Sequence, residues 1–381
     1  LDLIVIGGGA AGFMGAIKAA EDGVRSVAVL EATSRNLEKV RISGGGRCNV
    51  THACWEPNDL VLNYPRGEKP LKGLFNKFST GDTVAWFEER GLDLNIEPDG
   101  RIFPKSNSSS DVINCLEKSA NRLGVVSSLK MYVISIKHLG KKGFLLECRN
   151  GSVFYANKIL LATGGDQRGK KLALSLGHKV IPAAPSIFGL NLNNFDFTRC
   201  AGITVDNVQL LLRTNRKVFQ EKGRVLITHK GVSGPAVLRL SAFAARNLYD
   251  DNYNALLEIN WSNNSKGPTL DILRSFQEQF PSKFLVNSSP FVGIPKRLWL
   301  SLLHCIDVST TTRWASFGKK KQLELCDIVT RNIFSINGRG PYGEEFVTAG
   351  GVCLDEIDLK TMESLKVKGL YFAGEVVDID G

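Results

Sequence analysis

An α/β fold interrupted by a β-rich and then a helical insertion is predicted by three features of these 381 residues. Residues 1–12, LDLIVIGGGAAG, pass from an apolar run straight into glycines. A second apolar run ends in glycines at 158–165, and a third does so near the C-terminus. Between them, from Ser186, short alternating segments give way to helical spacing. The two ends of the chain are therefore expected to build one domain and the middle to be inserted into it.

Leu1, Leu3, Ile4, Val5 and Ile6 are aliphatic on both pleat faces, as a central strand of a helix-covered parallel sheet requires. Gly7, Gly9 and Gly12 then match G-x-G-x-x-G. The first glycine lets the chain turn, the second lets the backbone approach a pyrophosphate, and the third lets the next helix pack on the strand. The motif alone is weak, and its neighbours supply the context. Residues 11–22 carry helix formers and end at Gly23, a plausible C-cap. Residues 26–30 read as a second strand, and Glu31 at its end suits the ribose hydroxyls of a dinucleotide. This unit does not distinguish FAD from NAD.

Residues 43–49 read SGGGRCN. Ser43, Gly44 and Gly45 open a stretch that makes poor helix or strand, whose N–H groups suit a phosphate or a flavin edge. Arg47, Cys48 and Asn49 are unusual in a linker, so a site is expected rather than a flexible loop. Ser79 at an N-cap with Asp82 at N3 starts a core-facing helix over 79–90 that carries Val84, Trp86 and Phe87. Asp99-Gly100-Arg101 is a turn, and a further helix from about Ser110 is stopped by Gly124. Residues 131–138 and 144–149 read as a small hairpin whose Lys141 and Lys142 are solvated turn charges. Residues 158–162 form the second buried strand and run into Thr163, Gly164 and Gly165. No second complete G-x-G-x-x-G unit follows, so one dinucleotide site is counted.

In the middle, 188–192, 205–214, 225–228 and 256–261 alternate as short strands, which predicts a barrel or flattened barrel. His229 reads either as a general acid or phosphate ligand, or as a turn histidine satisfied by backbone. Gly231-Val232-Ser233 begins like a nucleophile elbow, but Pro235 stands where the closing glycine belongs, which argues against a serine hydrolase. Residues 268–330 turn helical, divided by Pro281, Pro290 and Pro295. Lys319, Lys320 and Lys321 read as a solvated helix start ahead of a nucleic-acid contact. Residues 369–381, GLYFAGEVVDIDG, form a strand ending in Gly374 and Glu375, a carboxylate placed to suit the ribityl chain of a flavin. Asp380, in the same stretch, is counted with the cofactor-binding residues. The expected divisions are 1–186 with 337–381 for the FAD-binding domain, 187–265 with 331–336 for the barrel, and 266–330 for a small helical domain.

Eight cysteines without a C-x-x-C pair and five histidines without H-E-x-x-H predict no metal site and no redox dithiol. Scattered thiols suggest a reducing compartment. The apolar runs are strand-sized, short of the ~20 residues that span a bilayer, so a soluble chain without membrane association is expected. The first residue lies inside a strand and is not Met, so an upstream segment is expected to have been removed. The net charge of +10 is uneven: residues 187–336 hold 19 Lys and Arg against 11 Asp and Glu, the remaining 231 residues 29 against 27. A polyanionic partner is therefore expected to meet the middle of the chain.

These stretches together resemble the BaiN/RdsA-like (YhiN-type) FAD-dependent oxidoreductases. The matching motifs are IGGGAAG (6–12), ISGGGRCNVT (42–51), DGRIFP (99–104), LATGG (161–165), THKGVSGPAVLRLS (228–241), EEFVTAGGVCLDEIDLKTMES (344–364) and GLYFAGEVVDIDG (369–381). The resemblance implies a Rossmann-type FAD-binding domain interrupted by a flattened β-barrel and a small helical domain, with a redox-active flavin. NAD(P)H is the candidate electron donor. Substrates in the family include ribosomal RNA uridine reduced to dihydrouridine, steroid-type enones and amines. A conjugated C=C reductase with rRNA uridine as leading substrate is expected, RNA being met through the basic insertions and Cys48 serving as proton donor. The alternatives are a small-molecule flavin oxidase or reductase, and a flavin-poor RNA-binding module. Two departures bear on this. The segment after Gly165, DQRGKKLALSLGH, is shorter than in many relatives. Relatives also continue into a GGYNLQ-like turn and a helix facing the flavin, whereas this chain stops at Gly381, so weak or absent FAD binding is expected of this form.

Overall fold

The computed structural model describes residues 1–340 and 347–380; Glu344, Glu345, Phe346 and Gly381 of the motifs above lie outside the described residues. The chain forms two compact units, Leu1–Ala183 with Val347–Gly381, and Ala184–Phe346.

The first unit is built on a seven-stranded sheet. Its order is Ile357–Asp358, Glu363–Ser364, Leu370–Phe372, Lys158–Leu161, β1 (Leu3–Ile6), β2 (Val27–Leu30), Val126–Ser128. The last five strands run parallel and the first two antiparallel. Val5 of β1 lies opposite Leu160 on one side and Val29 on the other. Because side chains alternate across a strand, Leu3 and Val5 join the cluster of Phe13, Ala16 and Ile17 from α1 (Ala10–Glu21), while Ile4 and Ile6 join Phe144 and Leu146 on the opposite face. All four residues of β1 are buried, which is why the run lacks polar alternation. Each such side chain contributes about 1.5–3 kcal/mol by burial.

From β1 the chain goes through α1 to β2 on one side, whereas Lys158–Leu161 and Leu370–Phe372 lie on the other. The order reverses between β1 and Lys158–Leu161, so a crevice opens at the carboxyl ends of those strands. The expected hairpin is a three-stranded meander, Val133–His138, Phe144–Cys148 and Val153–Ala156. Its third strand escaped the sequence reading because only Ala156 of it is buried. The helix Thr80–Glu88 carries the capping box read from the sequence, with the Ser79 N–H donating to Asp82 Oδ2 at 2.7 Å. Residues 57–78, for which no element was expected, hold the helices Pro57–Leu60 and Glu68–Phe75.

The second unit holds a closed barrel ordered Leu190–Leu192, Gly231–Ser233, Val218–Ile227, Thr204–Arg213, Leu256–Asn260, Asn332–Arg339. The strand expected at 225–228 begins at Val218, because Val218–Ile227 pairs with Thr204–Arg213 as a long antiparallel ribbon. An unforeseen helix, Pro235–Asp250, buries Val237, Leu240, Ala244 and Leu248. Its signals were Pro235 at the first helical position and helical apolar spacing. The helices Lys266–Gln279, Lys296–His304 and Lys319–Thr330 place Leu273, Leu298, Trp299 and Leu325 in one hydrophobic cluster with Leu210, Leu212, Ile227 and Leu257 of the barrel. Barrel and helices thus share a core. Among the described residues no helix is long and apolar enough to cross a membrane.

Candidate dinucleotide site at the strand crossover

β1 ends at Ile6, and the chain turns through Gly7, whose φ is +109° and whose N–H donates to Leu30 O at 2.9 Å. A β-carbon at Gly7 would lie 2.5 Å from Ala162 O, and one at Gly12 only 2.0 Å from Gly7 O. Side chains there would prise apart β1 and its neighbour, or lift α1 off the turn. Gly9 is the N-cap of α1, has open space beside its Cα, and provides no side-chain cap. The first N–H groups of a helix lack intrahelical partners, and no acid stands in this first turn. With the helix dipole they favour an anion such as a pyrophosphate.

Glu31 follows β2 directly. Its Oε2 accepts from the Gly8 N–H at 2.8 Å and its Oε1 from the Thr33 N–H at 2.7 Å. The carboxylate is fixed in place while each oxygen keeps a further lone pair for a ribose hydroxyl. Thr163 Oγ1 is buried without a hydrogen-bond partner among the described residues, and Thr163 lines a cavity of about 80 Å³ with Gly7, Glu31, Tyr132 and Arg168. Glu375 Oε2 lies 3.6 Å from where a β-carbon on Gly164 would sit, and it pairs with Lys39 Nζ at 3.3 Å. Gly374 packs on Ala11 so closely that a β-carbon would come within 2.8 Å of the alanine methyl. The structure therefore brings Gly7, Gly9, Gly12, Glu31, Thr163, Gly164, Gly374 and Glu375 together around the start of α1. An uncapped helix, a half-satisfied carboxylate and open space beside Gly9 fit the pyrophosphate and ribose of FAD.

The next turn is held by Asp166, N-cap of the helix Gln167–Ser175, which accepts from the Arg168 N–H at 2.8 Å and from its Nε at 2.7 Å. Burial works against ionisation of Asp166, but these bonds and the Arg168 charge outweigh it and hold the carboxyl below its ordinary range.

The SGGGRCN stretch is partly ordered as the end of α2 (Glu38–Gly46), whose backbone leaves helical geometry at Ser43, Gly44 and Gly45. Arg47 is committed to its neighbours. Its guanidinium pairs with Glu97 Oε1 and Asn107 Oδ1, each at 2.5 Å, and stacks 3.9 Å over Phe103. Cys48 is 6% exposed and packs in the cluster of Leu37, Val40, Phe87 and Val112. Burial pushes its thiol up, partly offset by the Ser43 hydroxyl, so it stays protonated. The side-chain amide of the exposed Asn49 faces Thr51 O at 2.9 Å and Ile102 O at 3.2 Å, two acceptors that assign its nitrogen to that side. Asp380 is 3% exposed and ion-paired with Arg66. His229 is exposed in the turn before Gly231–Ser233. Among the described residues no three His, Cys, Asp or Glu side chains gather as a metal site. Lys39, Thr33 and Arg66 were missed by the sequence reading. Lys39 and Arg66 meet partners more than 300 residues away, which no local pattern announces.

The chain is 29% identical over 394 residues to a ribosomal RNA dihydrouridine synthase of Escherichia coli, covering 100% of this chain and 92% of that protein. It is 27% identical over 388 residues to a 3-dehydro-bile acid delta(4,6)-reductase of Clostridium scindens, covering 99% and 93%. Among solved structures, a 3-ketosteroid-delta4-(5alpha)-dehydrogenase of Rhodococcus jostii RHA1 shares the fold, with a TM-score of 0.50, 14% identity and coverage of 99% and 90%. The family described as HI0933-like protein Rossmann domain matches residues 1–381. With the crossover crevice and its uncapped helix in place, the chain belongs to this family, whose members are FAD-dependent oxidoreductases.

Proposed function

We propose that this chain reduces a conjugated C=C bond with FAD, and that uridine in ribosomal RNA is its leading substrate. The observation that carries the flavin half is the placement of Glu31, bonded to the Gly8 N–H, and of Gly374-Glu375, packed on Ala11, at the uncapped start of α1. In this reading the first-turn N–H groups of α1 hold the pyrophosphate, and Glu31 accepts from the adenosine ribose. Glu375, steadied by Lys39, accepts from the ribityl hydroxyls. The bound flavin supplies hydride chemistry.

The substrate half rests on likeness. A bile acid delta(4,6)-reductase and a dihydrouridine synthase are relatives along nearly the whole chain, and the activities their names describe share saturation of a C=C bond conjugated to a carbonyl. Uridine is favoured by the surplus of cations in 187–336. The Arg47 side chain acts in this reading as a brace for the SGGGRCN stretch, since its charge is spent on Glu97. The test is nucleoside mass spectrometry of rRNA from cells with and without the gene. An unchanged dihydrouridine content removes this substrate, and an absorbance spectrum of the purified protein without flavin bands removes the cofactor. NAD(P)H as electron donor is checked by anaerobic bleaching of those bands.

A further inference from the structure

A cavity of about 520 Å³ opens in the first unit, lined by residues of Thr51–His52, the helix Thr80–Glu88 and the 57–78 segment. Asn49, the last residue of SGGGRCN, stands on its wall, and Leu60, 8% exposed, lies among the lining side chains. Three aromatic rings border it. Tyr64 and Phe75 meet with centroids 5.5 Å apart and planes tilted by 52°, and Phe78 is left 43% exposed.

Most of the polar groups here are already engaged. Thr80 Oγ1 donates to Cys54 O at 2.8 Å, Thr83 Oγ1 donates to Ser79 O at 2.9 Å, and His52 Nε2 sits 3.1 Å from Asp99 O. Tyr64 differs. Its ring is half-buried, and among the described residues its hydroxyl makes no hydrogen bond. Burial raises the phenol above its ordinary range, so it remains a donor at neutral pH. A hydroxyl that no protein acceptor engages is open to an acceptor that a ligand brings.

We propose that this cavity binds a flat, unsaturated ring bearing a conjugated carbonyl, with the ring against Phe75 and Phe78 and the carbonyl oxygen accepting from the Tyr64 hydroxyl. Calling this occupant the substrate rests on the function proposed above; the binding site itself does not. A hydrogen bond to that oxygen draws electron density out of the conjugated C=C, which makes its far carbon a better hydride acceptor. A pyrimidine nucleobase and a lipid enone share this fragment, and each is a separate arm of the test.

The holoprotein is titrated by equilibrium dialysis with uridine, with a uridine-containing single-stranded oligonucleotide, and with androst-4-ene-3,17-dione. Flavin content and thermal midpoint are measured in parallel. The variants are Tyr64→Phe, which deletes one oxygen, and Thr83→Trp, which fills the cavity. Tyr64→Phe is expected to weaken at least one ligand about 5–10-fold, as for a lost neutral hydrogen bond, and Thr83→Trp to abolish its binding, with flavin content unchanged. Affinity unchanged in Tyr64→Phe overturns the carbonyl contact, and affinity unchanged in both variants overturns the site. The ligand that loses affinity identifies the source of the ring. Ring binding that depends on Tyr64 in a protein without flavin upholds the site and removes the proposed redox function; full turnover of both ring types by both variants does the reverse.

Discussion

At the scale of single residues, Glu31 and Cys48 were chosen from the sequence for opposite reasons. Glu31 was chosen for its position after a strand, and the structure gives it two backbone donors, Gly8 and Thr33. Glu31→Ala strands both N–H groups, and Glu31→Gln keeps an acceptor for only one of them. We expect flavin affinity, followed by fluorescence titration, to fall about 10-fold or more in Glu31→Ala and less in Glu31→Gln. Equal affinity in all three proteins would sink the ribose role. Cys48 was chosen because a thiol beside a flavin can give a proton, but its setting is a packed cluster with a left-handed backbone, φ +61°. A 6% exposed thiol is a poor source of protons for a ligand. Cys48→Ala is expected to lower the thermal midpoint while keeping flavin and turnover. A fall in turnover of about 10²-fold with flavin retained would restore the proton-donor role.

At the scale of elements, legibility followed periodicity. β1, α1, β2 and the capping box at Ser79 were readable because four apolar residues, a glycine triplet pattern and a Ser-x-x-Asp pair each act within one turn of the chain. The glycines of the site were readable for the same reason, since a turn needs them wherever it leads. Lys39, Arg66 and Tyr64 were not readable, because what gives them meaning is a partner or a cavity assembled from distant segments. The helix Gln167–Ser175 shows how an element can serve the site from outside it. Asp166 caps it directly after Thr163, Gly164 and Gly165, and its carboxyl is held low. A lowered carboxyl stabilises the fold fully above the unfolded value, about 3.9, and the gain is lost as pH falls through the folded value below it. Asp166→Asn keeps the cap and loses the charge; Asp166→Ala loses both. We expect Asp166→Ala to cost about 1 kcal/mol at neutral pH by chemical denaturation, and both variants to lose part of the acid-side decline of the parent. A parent-like acid limb in Asp166→Asn would show that the pairing with Arg168 carries no stability.

At the scale of the whole molecule, the net charge of +10 is meaningful only through where the cations are free. The second unit spends many of its cations internally. Arg213 and Arg331 share Glu258 at 2.6 and 3.1 Å, Arg216 meets Asp250 at 3.4 Å, and Lys321 meets Glu324 at 2.8 Å while donating to Ile306 O at 2.7 Å. Glu258 is held below its ordinary range: burial opposes ionisation, and the hydrogen bonds from Arg213 and Arg331 overcome it. Lys319 and Lys320, at the start of Lys319–Thr330, carry no ion pair among the described residues. If single-stranded rRNA binds this unit, those two lysines can release counterions at little cost, whereas Arg213 and Arg216 must first give up carboxylates. Each phosphate contact contributes a slope of about 0.7 in the logarithm of affinity against the logarithm of salt for single strands. The double variant Lys319→Gln with Lys320→Gln is therefore expected to flatten the slope by up to about 1.4 between 50 and 200 mM salt while leaving flavin content unchanged. Arg213→Gln with Arg216→Gln is expected to change the slope less and the thermal midpoint more, because it leaves Glu258 and Asp250 with fewer partners. Filter binding of a single-stranded rRNA fragment to the three proteins decides the matter. A slope that moves only in the arginine variant would place the RNA on the barrel ribbon instead of the helix start, and slopes equal in all three would remove both surfaces.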